Sequence, residues 1–525
     1  MRTERDGTDH VRLAELVGAL SLGIDLGFGQ PMEHVLRQCL IALRIAERIG
    51  LDEQARAAVY YTALLVNVGC HSDAHEQAKW FGDDIAMKSD KYDHEFRSVG
   101  GVVSGLRRLG AGNPPLHRFR VGLDFVIAGH REVNRMIEHH AERARALGEQ
   151  LRMPGDVLMA LSAAYEQWDG RGWPGKLRGA QVPLPARLAQ LAEFIEVAHR
   201  LGGVPGAQAM ARRRAGKQFD PKLAAVVYAQ ADAILADLHA VSTWDAVIAA
   251  EPALAVVLDD EQLDSALLAL ANFVDLKSPY TLGHAHAVAD LATRAAATLQ
   301  LQAGEARQVR HAALVQGFGR LGVSNAIWDK PGPLGAGEWE RVRMHPYITE
   351  RMLRQSAALA PLGAIAVQLR ERLDGSGYPR GLRGSAMTRQ ARILGAADAY
   401  QAMREPRPHR GALTADEAAE ELRAGVRAGH LDGDAVEAVL QAAGHRVRRR
   451  RDGPAGLTAR EVEVLRLLAR GLSNKQIATR LVIAPKTAGN HIEHIYVKID
   501  ASTRASAGLF AMQHGLLPEE EFAEA

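Results

Sequence analysis

The chain has 525 residues, 47% of them hydrophobic but only 5% aromatic, and a formal net charge of +2. That length predicts roughly three or four domains, and few aromatics beside abundant Ala, Leu and Arg favour helix packed on helix over a sheet-rich fold. Near-neutrality excludes a surface that is basic throughout, so a nucleic-acid partner would have to meet a local patch. Two cysteines, Cys39 and Cys70, are too few for a disulfide framework. With neither a signal-peptide pattern nor an apolar run near the roughly 18 to 20 residues of a membrane span, the chain reads as cytoplasmic, with no membrane partner.

Residues 11–230 read as a first helical unit and 263–445 as a second copy of it. "MEHVLRQCLIALRIAERIGL" around His34 matches "LGHAHAVADLATRAAATLQL" around His284, and "ALLVNVGC" matches "ALVQGFGR". Further on, "EQWDGRGWPGKLRGAQVPLPARLAQLAEFIEVA" from Glu166 matches "ERLDGSGYPRGLRGSAMTRQARILGAADAYQAM" from Glu371 without a gap. The offset between the copies shortens along the chain, which places an insertion near 71–115 in the first one. Cys70, His71 and His75 at its start suggest a zinc site, but without a fourth ligand at proper spacing a local polar cluster is the better reading.

Within the copies, apolar residues fall at helical spacing, as at Val288, Leu291, Ala292, Ala295 and Leu299, and predict amphipathic helices in a bundle. The run "DGSGYPRGLRG" is too rich in Gly and Pro for helix and predicts an ordered turn. A Glu just before it in both copies predicts a fixed structural role. Residues 231–262 read as a helical bridge, and 446–455 as a basic exposed linker.

From 456 the signals are local and dense. Thr458 and Glu461 make a capping box, Leu465, Leu467 and Leu468 a core face, and Gly471 a helix stop. Ser473 caps "NKQIATRL", and Pro485 opens "KTAGNHIEHIYVKI" with Ile492 and Ile495 on one face. Through "LTAREVEVLRLLARGLSNKQIA", "PKT", "NHI", "KI" and "STRASA", residues 456–517 resemble the LuxR-type helix-turn-helix domain; 518–525 read as an acidic tail.

That resemblance implies double-stranded DNA as partner, with Lys486, Thr487, Gly489, Asn490 and Glu493 on the DNA-facing side of the third helix. Lys475, Lys486 and Arg504 would contact phosphates, and Asn490 would read adenine. The fourth helix implies a homodimer on DNA. Ala484 stands where the family commonly has a Ser cap, and Ala488 where it has a larger apolar residue.

The second copy resembles an HD-GYP domain through "DLKSPYTLGH", "ALVQGFGRLGVSNAIWDKPGPLGAGEWERVRMHP", "ERLDGSGYPRGLRG" and "ARILGAADAYQAM". Active members are metal-dependent phosphohydrolases that cleave cyclic dinucleotides, using metals held by His and Asp from several helices. Of the matched ligand positions His284, His345 and Asp398 remain, while Gln316–Gly317 and Leu369–Arg370 replace the His-Asp and His-His pairs. Val66–Asn67 and Ala164–Tyr165 stand at the same places in the first copy.

The fold class expected is therefore mainly α, with two HD-like bundles in tandem followed by a four-helix LuxR-type domain. The function expected is a DNA-binding transcriptional regulator that is not an enzyme, with no catalytic residue, no metal and no cofactor. In this reading His284 and His345 make ordinary buried hydrogen bonds. Arg320, Arg370 and Arg372 would form a basic pocket for a nucleotide-like anion. The alternative is a metal-dependent phosphodiesterase with an atypical site in which Gln316 and Glu371 serve as substitute ligands.

Overall fold

The computed structural model describes residues 11–92, 108–110, 115–125, 130–238, 242–252, 256–446 and 454–517. They fall in two compact units, Met1–His445 and Arg446–Ala525. Most of the expected basic linker and the whole acidic tail lie outside the described residues. Among those residues the one sheet is a pair of two-residue strands, Val11–Arg12 antiparallel to Val257–Leu258; everything else regular is helix.

The repeat is legible in three local devices of the larger unit. First, a buried carboxylate caps the helix that follows it: Asp25 accepts from Val35 N at 3.0 Å, and Asp275 accepts from Ala285 N at 2.8 Å. Each thereby satisfies a donor that an α-helix leaves open at its first turn. Second, the Glu ahead of each Gly/Pro-rich turn holds that turn by its backbone. Glu371 accepts from Arg380 N at 2.6 Å and Leu382 N at 2.9 Å, and Glu166 from Lys176 N at 2.8 Å and Gly175 N at 3.1 Å.

The third device is a close backbone approach. The turn Val68–His71 lies against helix His130–Gln150, and the turn Phe318–Gly322 against helix His345–Leu353. A Cβ on Gly69 would stand 2.0 Å from the His140 carbonyl oxygen, and one on Gly319 equally close to that of His345. Only glycine allows either contact.

The two copies share one hydrophobic core. Helix Leu13–Gly27 is buried on nearly all sides, as its "LAELVGALSLGIDLG" composition requires of a stable helix. Gly23 lies against Leu321 and Met352 of the second copy. The segment read as a bridge is also packed: helix Thr243–Ala249 sets Trp244 against Gly18, and the Tyr61 hydroxyl donates to Glu251 at 2.5 Å.

The insertion joins the copies. Its helices Ala74–Phe81 and Asp84–Ser89 bring Asp84, fully buried, to the second copy. There its carboxylate accepts from Ser324 Oγ at 2.7 Å and Asn325 N at 2.8 Å, with Lys88 at 3.1 Å and Lys277 at 3.5 Å. Burial works to raise its pKa, but the two ammonium groups and the donors hold it well below the ordinary carboxylate range.

The smaller unit is built on helices Ala459–Ala469, Asn474–Leu481, Pro485–Lys498 and Arg504–Gln513. Leu465, Leu467, Leu468, Ile477, Ala488, Ile492 and Ile495 fill its core. Thr458 N donates to Glu461 Oε2 at 2.7 Å as the capping box requires, and Lys498 bonds the same carboxylate at 2.7 Å.

Removing Asp84 strands two buried ammonium groups. Asp84→Ala is therefore expected to lower the stability of Met1–His445 by about 3–5 kcal/mol in chemical denaturation; an unchanged midpoint would contradict this role.

Candidate ligand site and nucleic-acid interface

A cavity of 660 Å³ opens in the second copy, where the family's metal ligands would converge. Gln316 and Gly317 reach it from the end of helix Ala303–Val315, and Arg320 from the turn that Gly319 lets pass beneath His345. His284 and His345 each begin a helix, Arg370 ends the turn Val367–Arg370, and Asp398 projects from helix Arg389–Arg404. All of these line the cavity, as does Leu369.

The retained ligand-type residues are engaged with one another. His284 Nε2 lies 3.1 Å from Asp398 Oδ1, and its Nδ1 lies 2.8 Å from Glu405 Oε2. Burial opposes a charge on this ring, but the hydrogen bonds to the two carboxylates raise its pKa. Asp398 Oδ2 pairs with Arg370 Nη2 at 2.9 Å. Burial alone would raise the Asp398 pKa; Arg370 and His284 instead hold it far below the usual range.

His345 Nδ1 donates to Val342 O at 2.7 Å. Burial, with the Arg370 charge beside it, pushes its pKa down to about 3, so the ring is neutral and Nε2 carries the lone pair.

A metal pair needs several carboxylate and imidazole lone pairs turned toward common points. Here both ring nitrogens of His284 face carboxylates and Asp398 is shared with a guanidinium. Gln316 and Leu369 bring no anionic or imidazole donor. Glu371, the substitute ligand of the alternative reading, has both oxygens on the backbone of its own turn. Among the described residues no group of three His, Cys, Asp or Glu side chains is placed to hold a metal ion. The residues present do not fit a metal pair.

They do fit an anion. Gln316 is 3% exposed, and its Nε2 has no hydrogen-bond partner among the described residues. Arg320 lies over the Trp328 ring at 4.7 Å and has no ion-pair partner among them. Burial and the nearby Arg407 lower its pKa to about 10, outweighing the carboxylates of Asp275 and Asp398, which act to raise it.

Of the three expected arginines, Arg320 and Arg370 line the cavity, whereas Arg372 is exposed and does not. The turn after Glu371 directs it outward. Arg407 and Arg410 line the cavity instead. They follow helix Arg389–Arg404 in "REPRPHRG", a run whose return toward His284 has no periodic signal in the sequence.

Cys70, His71 and His75 do not converge. Cys70 Sγ lies 2.7 Å from the Tyr165 hydroxyl, His71 Nε2 lies 2.7 Å from Phe273 O, and His75 Nδ1 lies 2.8 Å from Asp329.

In the smaller unit Lys475, Lys486, Thr487, Asn490 and Glu493 are exposed and Gly489 is half-buried. Ala488 is fully buried, packing the third helix through a small side chain. Arg504 is exposed, with Nη1 donating to Leu472 O at 2.5 Å, so part of its guanidinium holds the turn before the second helix.

Residues 130–223 and 269–435 match the HD domain family, and residues 455–511 match the bacterial regulatory proteins of the luxR family. The chain is 32% identical over 410 residues to the 3'3'-cGAMP-specific phosphodiesterase 3 of Vibrio cholerae, covering 77% of this chain and 89% of that protein. The chain belongs to the HD-domain family. This HD protein is also 32% identical over 184 residues to the cyclic di-GMP phosphodiesterase response regulator RpfG of Xanthomonas campestris, 35% of this chain and 48% of that one. A crystal structure of a cyclic GMP-AMP specific phosphodiesterase of Vibrio cholerae superposes with a TM-score of 0.58 at 27% identity, covering 83% of this chain and 98% of that one.

These relatives correct one expectation. The lost ligand pairs led to the expectation that the chain is not an enzyme, but the long match and the solved structure are both to HD-domain hydrolases and point to an enzyme. The lost pairs describe individual positions, whereas the match extends across both copies.

Glu371→Ala would leave the Arg380 and Leu382 N–H groups unpaired. It is expected to destabilise the larger unit by about 2–4 kcal/mol, read as a lower denaturation midpoint; an unshifted midpoint would contradict the capping role.

Proposed function

We propose that the chain is a cytoplasmic, DNA-binding regulator whose second HD unit takes a cyclic dinucleotide. The observation that carries the ligand reading is the pair Gln316 and Arg320 at one cavity: among the described residues the buried Gln316 Nε2 has no hydrogen-bond partner, and the half-buried Arg320 guanidinium has no ion pair. Phosphodiester oxygens satisfy both, since charge-assisted hydrogen bonds from a desolvated guanidinium are strong. Trp328 and Tyr378 in the same cavity offer rings to the bases, and 660 Å³ is a volume suited to a ligand of this size. The relatives named for 3'3'-cGAMP and cyclic di-GMP supply the ligand class.

On the DNA side, Lys475 and Lys486, with the uncommitted part of Arg504, meet phosphates. Asn490 reads a base edge, flanked by Thr487, Gly489 and Glu493. Leu509 and Met512, exposed on the fourth helix, are the apolar surface on which two copies pair.

Hydrolysis of the same ligand is the second reading, favoured by the 410-residue match to a phosphodiesterase. Linear product formed from 3'3'-cGAMP with added Mn²⁺, and lost in His345→Ala, would support it; no product while binding persists would reject it.

Calorimetry tests the ligand. Binding of 3'3'-cGAMP or cyclic di-GMP is expected, weakened at least about tenfold, or ~1.4 kcal/mol, in Arg320→Ala; no heat from either nucleotide would sink the reading. For DNA, removal of residues 456–525 is expected to abolish a salt-sensitive shift of promoter fragments, and a truncated chain that still shifts them would refute the assignment.

A further inference from the structure

The cavity of the first copy holds a cluster that neither reading uses. Its volume is 340 Å³, and Cys70, His140 and Tyr165 line it with the apolar side chains of Phe28, Met136 and Phe194. By the repeat, Cys70 stands where the second copy has Arg320, so a thiol replaces the guanidinium at the same place in the turn. Gly69 lets that turn pass against the His140 backbone, which sets the thiol beside the imidazole.

Cys70 Sγ is 2.7 Å from the Tyr165 hydroxyl and faces the same cavity as the His140 imidazole. His140 Nε2 is 2.7 Å from Asp73 Oδ2. All three of Cys70, His140 and Asp73 are buried. Thiol, imidazole and carboxylate in this order are a nucleophile, its base and the group that orients the base.

Burial opposes both charges, yet Cys70 and Asp73 raise the His140 pKa to about 9, and His140 lowers that of Cys70. Cys39 provides the contrast: it is fully buried in the core, and burial pushes its thiol up.

Cavity size decides the class of reactant. A peroxide occupies little more than a water or two, each about 30 Å³ in the liquid, and needs no such chamber. The 340 Å³ are walled by the rings of Phe28, Tyr165, Trp173 and Phe194 together with polar and charged side chains such as Lys91 and Arg214, a lining that suits an organic molecule with an aromatic or conjugated face and polar oxygens.

We propose that Cys70 is a covalent modification site for a conjugated carbonyl electrophile, a quinone or enone, held against the aromatic wall of the first cavity. The thiolate forms a C–S bond at the β-carbon, and the displaced π pair moves to the carbonyl oxygen as an enolate. The proton on His140 passes to that enolate, leaving a neutral thioether and a neutral imidazole. No oxidant is needed.

The test is mass spectrometry of the full-length chain after brief exposure to sub-stoichiometric 1,4-benzoquinone at pH 7. An adduct is expected on Cys70 and not on Cys39, formed at least about tenfold faster than with free glutathione. His140→Gln should slow it about tenfold, and Asp73→Asn by a smaller factor. The comparison with glutathione needs no variant, and an unlabelled Cys39 reports that the fold is intact. Labelling of Cys70 no faster than glutathione, or no slower in a folded His140→Gln protein, would overturn the proposal. So would modification by hydrogen peroxide but not by the quinone.

Discussion

The larger unit depends on one steric constraint, met twice: a short turn must pass so close to the backbone of a neighbouring helix that no side chain fits between. At Gly319 the contact is with His345, and at Gly69 with His140. Because interiors are close-packed, such a contact fixes the residues on either side of the turn to a fraction of an ångström. In the second copy it aims Gln316 and Arg320 into the same cavity as His345; in the first it sets Cys70 against His140. The scaffold is common to both copies and the chemistry differs, since fold does not carry function with it.

An ionic network occupies the positions where the sequence led us to expect metal ligands. Arg370 takes one face of Asp398 and His284 the other, so a carboxylate matched to a cation remains matched, by protein charges. Leaving that buried carboxylate alone would be costly. Among the described residues Arg320 has no ion pair and the buried Gln316 Nε2 no hydrogen-bond partner; these are the two groups that the proposed anion would meet. The relatives are named for phosphodiesters, which carry the matching charge.

Much of this was legible in the sequence because it rests on local signals. The capping box at Thr458 and Glu461, the core face at Leu465 and Leu468, and the Glu beside each Gly/Pro turn depend on residues close in sequence. The repeat itself showed which turn and which helix belong together. The long-range closures were not legible. Arg407 and Arg410 enter the cavity through an aperiodic run, Arg372 turns outward by the geometry of its turn, and Asp84 finds Ser324 and Lys277 across the junction of the copies. The insertion looked like an addition to the first copy, yet it fastens that copy to the second. The enzymatic likeness was not legible at the ligand positions, because those are single residues whereas the match to a phosphodiesterase runs over 410 residues.

The central claim is that the second cavity receives a cyclic dinucleotide through Arg320 and Gln316. A crystal structure of the full chain with 3'3'-cGAMP tests it most directly. The account predicts a phosphodiester group within hydrogen-bond distance of the Arg320 guanidinium and the Gln316 amide, with a base against Trp328. A nucleotide bound elsewhere, with this cavity holding only solvent, would contradict it.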